Sequence, residues 1–287
     1  MSDTVSNFLS GMIRTLRENG VFEPNVSAER ILSAITGLNR AELYSGTDKL
    51  IYPPQIHSAK AAMERRIKGE PVAYIIGECE FYNVILKIDK RVLVPRPETE
   101  ILVDEVIKYL RERHGPLRVV DIGTGSGNIA ISLAYNVPDL QVAATDIDAA
   151  VLELAQENAE AMKVSGRIDF RMGELFAPLL GDAGQFDAVV SNPPYVGDDE
   201  MELLPIEVGK FEPHRALFAG IDGLAIIKRL IEEAPVYLKE DGFLAIEIGY
   251  DQEAAVRHLM NFNFRNVRII ADLAGKPRVA IGFMRKL

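Results

Sequence analysis

The sequence is poor in the residues that build metal and redox sites. It has one cysteine, Cys79, in 287 residues, so it carries no disulfide framework and no thiolate metal cluster. Its four histidines are scattered, and no pair has the spacing of metal ligands. No apolar run approaches the roughly 20 residues of a membrane span. The N-terminus lacks a basic segment followed by an apolar one, so no secretory signal is visible. Positive charge is in deficit as well: 32 Lys and Arg face 42 Asp and Glu, a formal charge of −10. Long nucleic acid is held largely by phosphate neutralisation, and this balance argues against such a partner. Clusters such as Arg65-Arg66-Ile67-Lys68 and Arg111-Glu112-Arg113-His114 read as solvated helix faces. Internal repeats and low-complexity segments are absent. A cytoplasmic, metal-free, monomeric protein without a membrane partner is the expectation.

What is present is a large apolar fraction, 48%, arranged in two styles. Residues 1–70 read as short helices. Val5, Phe8, Leu9, Met12, Ile13 and Leu16 recur at helical spacing before a stop at Gly20, and Asn39 is placed to cap a turn reaching Tyr44. Residues 71–95 read as a linker. Val72-Ala73-Tyr74-Ile75-Ile76 is strand-like, and Val84, Leu86 and Ile88 alternate with more polar neighbours, which predicts a small β-hairpin. From residue 96 to 287 strand and helix signals alternate, with Pro97 at a first helical position. Strands fall near 117–121, 141–145, 168–171, 185–191, 243–248, 266–271 and 278–284. That alternation predicts an α/β fold, a doubly wound and mostly parallel seven-stranded sheet with helices on both faces.

Two stretches carry chemistry. The first is Val189-Val190-Ser191-Asn192-Pro193-Pro194-Tyr195. A buried strand runs into two prolines, which fix φ, lack N–H groups and hold the preceding residue extended. The result is a stiff tip at the carboxyl edge of a sheet, where ligands of open α/β folds bind. Such a tip suits a planar –NH2 group. Asn192 Oδ1 and the Pro193 carbonyl can accept its two hydrogens while Tyr195 covers the plane. A plain turn after a strand is the alternative.

The second stretch is Asp121-Ile122-Gly123-Thr124-Gly125-Ser126-Gly127, between a predicted strand and helix. Glycines let backbone approach a ligand closely. Asp146 ends the next strand about twenty residues on, where a carboxylate can accept both ribose hydroxyls. A nucleoside ligand follows. The dinucleotide pattern requires a glycine at position 128, which is asparagine. Asp121 also stands where a pyrophosphate would pass, which like charge disfavours. For Asp121 both direct contact and bonding of the loop backbone remain open. Glu174 and Leu175, after the third strand, read by themselves as a helix-start carboxylate beside a core leucine, with Phe176 next to them.

The pattern Asp-x-Gly-x-Gly-x-Gly resembles class I S-adenosylmethionine-dependent methyltransferases. Asn-Pro-Pro-Tyr after the fourth strand resembles those members that methylate a conjugated nitrogen, either an amino group of a DNA or RNA base or a glutamine amide. Gly69-Glu70-Pro71, Tyr74-Ile75, Gly77, Phe81 and the run Val92-Leu93-Val94-Pro95-Arg96-Pro97-Glu98-Thr99-Glu100 resemble the protein-(glutamine-N5) methyltransferases of peptide chain release factors. Glu212-Pro213, Gly220-x-Asp222-Gly223-Leu224 and Glu247-Ile248-Gly249 match as well. That resemblance implies S-adenosylmethionine as methyl donor, with the homocysteine compound as product, and a release factor as protein partner. It places the cofactor on Gly123, Thr124, Gly125, Ser126, Gly127, Asp146, Glu174, Leu175 and Asn192. The substrate glutamine falls to Asn192, Pro193, Pro194, Tyr195, Arg96 and Glu98, with Asn192, Pro193 and Tyr195 catalytic and Glu212 shaping the pocket. Residues 1–70 are assigned to recognition of the substrate protein.

Overall fold

The computed structural model describes residues 4–45 and 49–285. The chain divides into two compact units: residues up to Glu78 together with Pro205–Phe211, and Cys79–Leu204 together with Glu212 onward.

The first unit is helical. It contains α1 (Val5–Glu18), α2 (Pro24–Thr36), α3 (Arg40–Ser45), α4 (Pro53–Ile67) and α5 (Val72–Ile76). Its apolar stripes, including Leu9, Met12, Leu16, Ile31, Leu32 and Leu43, close on one another as a single core. The caps follow local chemistry. Thr4 accepts from the Asn7 N–H at the start of α1, and Asn39 Oδ1 accepts from the Glu42 N–H at the start of α3. Helix α5 corrects the sequence reading, which takes Val72–Ile76 for a strand. Pro71 caps it, and Gly77, at φ 84°, stops it with its N–H on the Ala73 carbonyl. Val72, Ile75 and Ile76 pack on the helical core at i, i+3 and i+4, and burial there overrides β-branched preference.

The second unit opens with a hairpin, β1 (Glu78–Phe81) and β2 (Val84–Lys87). Its two-residue turn has Tyr82 and Asn83 at φ 37° and 66°, the mirror-type turn that matches strand twist. Then come α6 (Thr99–Arg111), β3 (Arg118–Ile122), α7 (Asn128–Asn136), β4 (Gln141–Asp146), α8 (Ala149–Ala161), β5 (Ile168–Met172) and β6 (Phe186–Ser191). A short helix of the first unit, α9 (Ile206–Phe211), interrupts the chain before α10 (Ala225–Tyr237), β7 (Leu238–Glu247), α11 (Glu253–Asn263), β8 (Phe264–Ala271) and β9 (Pro277–Met284). Helix α6 starts two residues later than the expected Pro97. Pro97 and Glu98 form a tight turn in which the Thr99 N–H donates to the Arg96 carbonyl.

The seven strands stand in the order β5-β4-β3-β6-β7-β9-β8, parallel except for β9, which pairs antiparallel with both neighbours. The chain leaves β3 toward β4 on one side and later returns to β6 on the other. That reversal leaves a crevice at the carboxyl ends of β3 and β6. Val120, Ile122, Val189, Leu244, Ile246 and Ala280 fill the core beneath it.

One buried amide fixes the hairpin to this unit. Asn158 on α8 accepts from the Lys87 N–H at 2.7 Å and donates to the carbonyls of Lys87 and Ser126 at 3.1 and 2.9 Å. Asn158→Ala leaves a buried donor and two acceptors unpaired. We expect it to cost about 2–4 kcal/mol at roughly 1–3 kcal/mol per orphaned group, discounted for relaxation, read as a lowered denaturation midpoint.

Candidate active site

The site is built where β3, β4 and β6 end. Past Ile122 the chain turns back through Gly123 and Thr124, whose N–H groups both donate to the Thr145 carbonyl at the end of β4. A side chain at Gly123 or Gly125 would meet nothing within 4 Å, so the loop presents bare backbone to open space. Gly127 is different. It has φ 81°, and a Cβ there would lie 2.8 Å from Ile131 Cδ1, so only glycine lets the chain turn into α7.

Asp121 lies under the loop and is fully buried. Its Oδ2 accepts from the Thr124 hydroxyl at 2.7 Å and the Ala130 N–H at 3.2 Å, while Oδ1 has no partner. Of the two readings left open, the structure shows the bonding of the loop. Burial pushes this carboxyl up to about 7 against its two hydrogen bonds, and the Asp146 charge adds to the rise. Asp146 ends β4. Its oxygens accept from the Gly125 and Asp148 N–H groups, both at 3.1 Å. Each oxygen keeps a lone pair, and burial raises this carboxyl too.

The tip follows β6. Ser191 Oγ donates to the Ile122 carbonyl at 2.7 Å and locks the ends of β6 and β3 together. Asn192 Nδ2 donates to Thr99 Oγ1 at 3.0 Å. Behind the tip, Gln252 donates to the Tyr195 carbonyl at 3.0 Å and accepts from the Gly249 N–H. Gly223, at φ 64°, leaves no room for a Cβ beside that same carbonyl. Its place in the Gly-x-Asp-Gly-Leu run is thus a packing requirement of the tip. Tyr195 points its hydroxyl at Glu247 Oε1, 3.1 Å away, and its ring packs against the main core. Glu247 is buried, and burial pushes its carboxyl up to about 7.

These elements surround a cavity of about 530 Å³. Gly123, Thr124, Gly125, Ser126, Asp146, Glu174, Leu175, Asn192, Pro194 and Arg96 line it. Gly127, Pro193, Tyr195 and Glu98 fall outside the lining. Arg96 reaches both oxygens of the buried Glu212 at 2.8 and 2.7 Å, and Glu174 pairs with Arg229. Thr99 and Ile226 line it too, and further wall comes from Lys90–Leu93 and Pro213–Ala216. Sequence reasoning misses Thr99, Glu247, Gln252 and Asn158 as individual groups. Thr99 and Glu247 sit inside quoted motifs, yet their pairing across 148 positions has no local signal. No cluster of His, Cys, Asp and Glu suited to a metal occurs among the described residues, and no helix there is long and apolar enough to cross a membrane.

A parallel sheet with one reversed strand, a glycine loop over a strand-end acid and an Asn-Pro-Pro-Tyr tip define a class I methyltransferase. Comparison with known proteins agrees. Residues 98–205 match the Methyltransferase small domain, and residues 8–77 match the PrmC N-terminal domain. A release factor glutamine methyltransferase of Rhodopirellula baltica is 38% identical over 282 residues, covering 96% of this chain and 95% of that one. One of Neisseria gonorrhoeae is 40% identical over 268 residues, covering 92% and 95%. The chain belongs to the release factor glutamine methyltransferase family. Among solved structures, a methyltransferase from Pyrococcus furiosus shares the fold at 20% identity and TM-score 0.50, covering 70% of this chain and 89% of that one. The hMettl16 catalytic domain in complex with the MAT2A 3′UTR hairpin 6 shares it at 17% and 0.55, covering 80% and 81%.

The raised Asp121 carboxyl gives a testable pH dependence. Its folded value of about 7 stands above the ordinary 3.8, so the folded chain keeps a proton that the unfolded chain releases. The stability this contributes is present at low pH and lost as pH rises through about 7. Asp121→Asn, which keeps an acceptor for Thr124, is expected to show a shallower fall in Tm between about pH 5 and 8 than the unaltered protein. An equal slope in both places the titration elsewhere.

Proposed function

We propose that the cavity binds S-adenosylmethionine and that the Asn192 tip holds the side-chain amide of the glutamine in the Gly-Gly-Gln motif of a peptide chain release factor, which leaves as N5-methylglutamine. The observation that carries this is the meeting of an acceptor-bearing, proline-stiffened tip with a glycine loop and a half-buried strand-end carboxylate around one cavity.

The residues present fit that donor. Gly123 and Gly125 expose backbone where a Cβ would find open space. Asp146 keeps a free lone pair on each oxygen, which suits two ribose hydroxyls. Leu175 and Ile226 offer apolar cover near Glu174, a wall for a purine. When bound, S-adenosylmethionine supplies an electrophilic methyl group on a sulfonium centre.

The chain's own task is positioning. An amide nitrogen is a poor nucleophile because its lone pair is delocalised. Asn192 Oδ1 and the Pro193 carbonyl accept its two hydrogens and aim it; such orientation can contribute up to roughly 7–11 kcal/mol in ideal intramolecular cases. The same acceptors stabilise positive charge growing on nitrogen as the new N–C bond forms. The nitrogen then sheds one proton and the product is neutral. No strong base is required, since the N-methylated amide is very acidic before that loss. The helical unit supplies recognition of the folded substrate, because a lone glutamine offers little surface and remote contacts must provide selectivity.

Incubation with methyl-labelled donor and an intact release factor, followed by peptide mass spectrometry, is expected to place the label on the Gly-Gly-Gln glutamine. Label on an adenine or cytosine amino group of an added oligonucleotide, and none on protein, replaces this reading with base methylation. Asp146→Ala is expected to weaken calorimetric binding of S-adenosylmethionine about tenfold to a hundredfold, the loss of one or two charge-assisted hydrogen bonds at roughly 1.5–3 kcal/mol each. Asn192→Ala is expected to lower kcat about 10²–10³-fold, as loss of a transition-state hydrogen-bond partner does elsewhere. Release-factor KM should move far less.

A further inference from the structure

Beneath the tip lies a chain of side chains whose hydrogen bonds all run toward one acceptor, Glu247. We infer that Thr99 and Glu247 are positioning residues that set which end of the Asn192 amide faces the cavity, presenting its oxygen rather than its NH2 group to the reacting amide. The inference rests on the reading of the tip as an amide holder.

The direction follows from what each group can do. An ionised carboxylate only accepts hydrogen bonds. Glu247 Oε2 lies 2.6 Å from Thr99 Oγ1, and Oε1 lies 3.1 Å from the Tyr195 hydroxyl, so both hydroxyls donate into it. With its proton committed, Thr99 Oγ1 has only lone pairs to offer. The group beside it at 3.0 Å is Asn192 Nδ2, a donor. With the amide turned the other way, Oδ1 would face an oxygen with no proton between them. Thus the acceptor of Asn192 is directed away from Thr99, and Asn192 itself lines the cavity.

The direction matters because the group to be gripped is itself an NH2 donor. An Asn192 facing it with nitrogen would set donor against donor. Water is no substitute in this chain, since Glu247 is 1% and Thr99 0% exposed. The charges that face Glu247 are Arg278, which favours its ionisation, and Glu98, which opposes it; Arg278 is itself paired with Asp272 at 3.1 Å. The Tyr195 phenol, which donates to Glu247, is held well above its ordinary value by burial, and Arg96 faces it. Burial holds the Glu247 carboxyl near 7. Its protonation places a donor in the chain and frees Thr99 to donate toward Asn192, so the useful polarity exists only while Glu247 is ionised.

The test uses the full chain with intact release factor, measuring kcat, KM, calorimetric affinity for S-adenosylmethionine and Tm. Thr99→Val keeps side-chain volume and removes the hydroxyl. It is expected to lower kcat about 10–100-fold, a partial loss of a directed transition-state contact, with both binding constants within about threefold. Thr99→Ser restores the hydroxyl and is expected to recover kcat to within about fivefold of the unaltered enzyme. In addition, kcat of the unaltered enzyme should fall as pH drops below about 7, and Glu247→Gln should abolish that limb. Full kcat in Thr99→Val, equal losses in the Val and Ser variants, or a limb that survives in Glu247→Gln overturns the inference. Should Thr99→Val fail to fold, the pH profile of Glu247→Gln decides alone. Absence of glutamine methylation by the unaltered enzyme is a different failure, that of the amide-holder reading.

Discussion

Everything at the site depends on the ends of β3 and β6 lying side by side. The two strands pair in parallel through Val119–Asp121 and Ala188–Val190. Just past the last paired residues, Ser191 Oγ reaches the Ile122 carbonyl and closes the gap. One strand then turns into glycines and the other into prolines. The glycines take positive φ and leave the loop backbone bare; the prolines fix φ and remove N–H groups. The crevice is therefore flanked by one wall of exposed backbone and one stiff tip, each held by a register that the buried β-sheet cannot shift without turning its apolar side chains outward.

The site also concentrates buried and half-buried carboxylates. Asp121, Asp146 and Glu247 all have carboxyls raised chiefly by burial, against hydrogen bonds that pull the other way. Desolvation wins over two hydrogen bonds at each of them, because so much of each group's hydration is lost. Of the three, only Asp146 lines the cavity; Asp121 and Glu247 stand behind it, each accepting from a threonine hydroxyl, Thr124 or Thr99, that does.

Much of this was legible in the sequence. The glycine loop, the strand-end Asp146 and the proline tip are local signals, each contained within a few residues. The seven strands and their alternation with helices follow from hydropathy periods, and the observed sheet has the expected mostly parallel arrangement. What was not legible is tertiary. Val72–Ile76 has the composition of a strand, and only its packing on the helical core makes it a helix. Asn158, Gln252, Thr99 and Glu247 are ordinary residues in sequence. Their roles arise from partners 71, 57 and 148 positions away. Arg96 stands in a legible motif and lines the cavity, but it is also committed to Glu212, a pairing that spacing does not announce.

The central claim is that the Asn192 tip grips an amide NH2 group. The most direct measurement is an experimental structure of the full chain with S-adenosylhomocysteine and a Gly-Gly-Gln peptide. The account predicts the glutamine nitrogen within hydrogen-bond reach, about 2.7–3.2 Å, of both Asn192 Oδ1 and the Pro193 carbonyl. A glutamine amide seated elsewhere, or an Asn192 that turns its nitrogen toward it, would contradict the account.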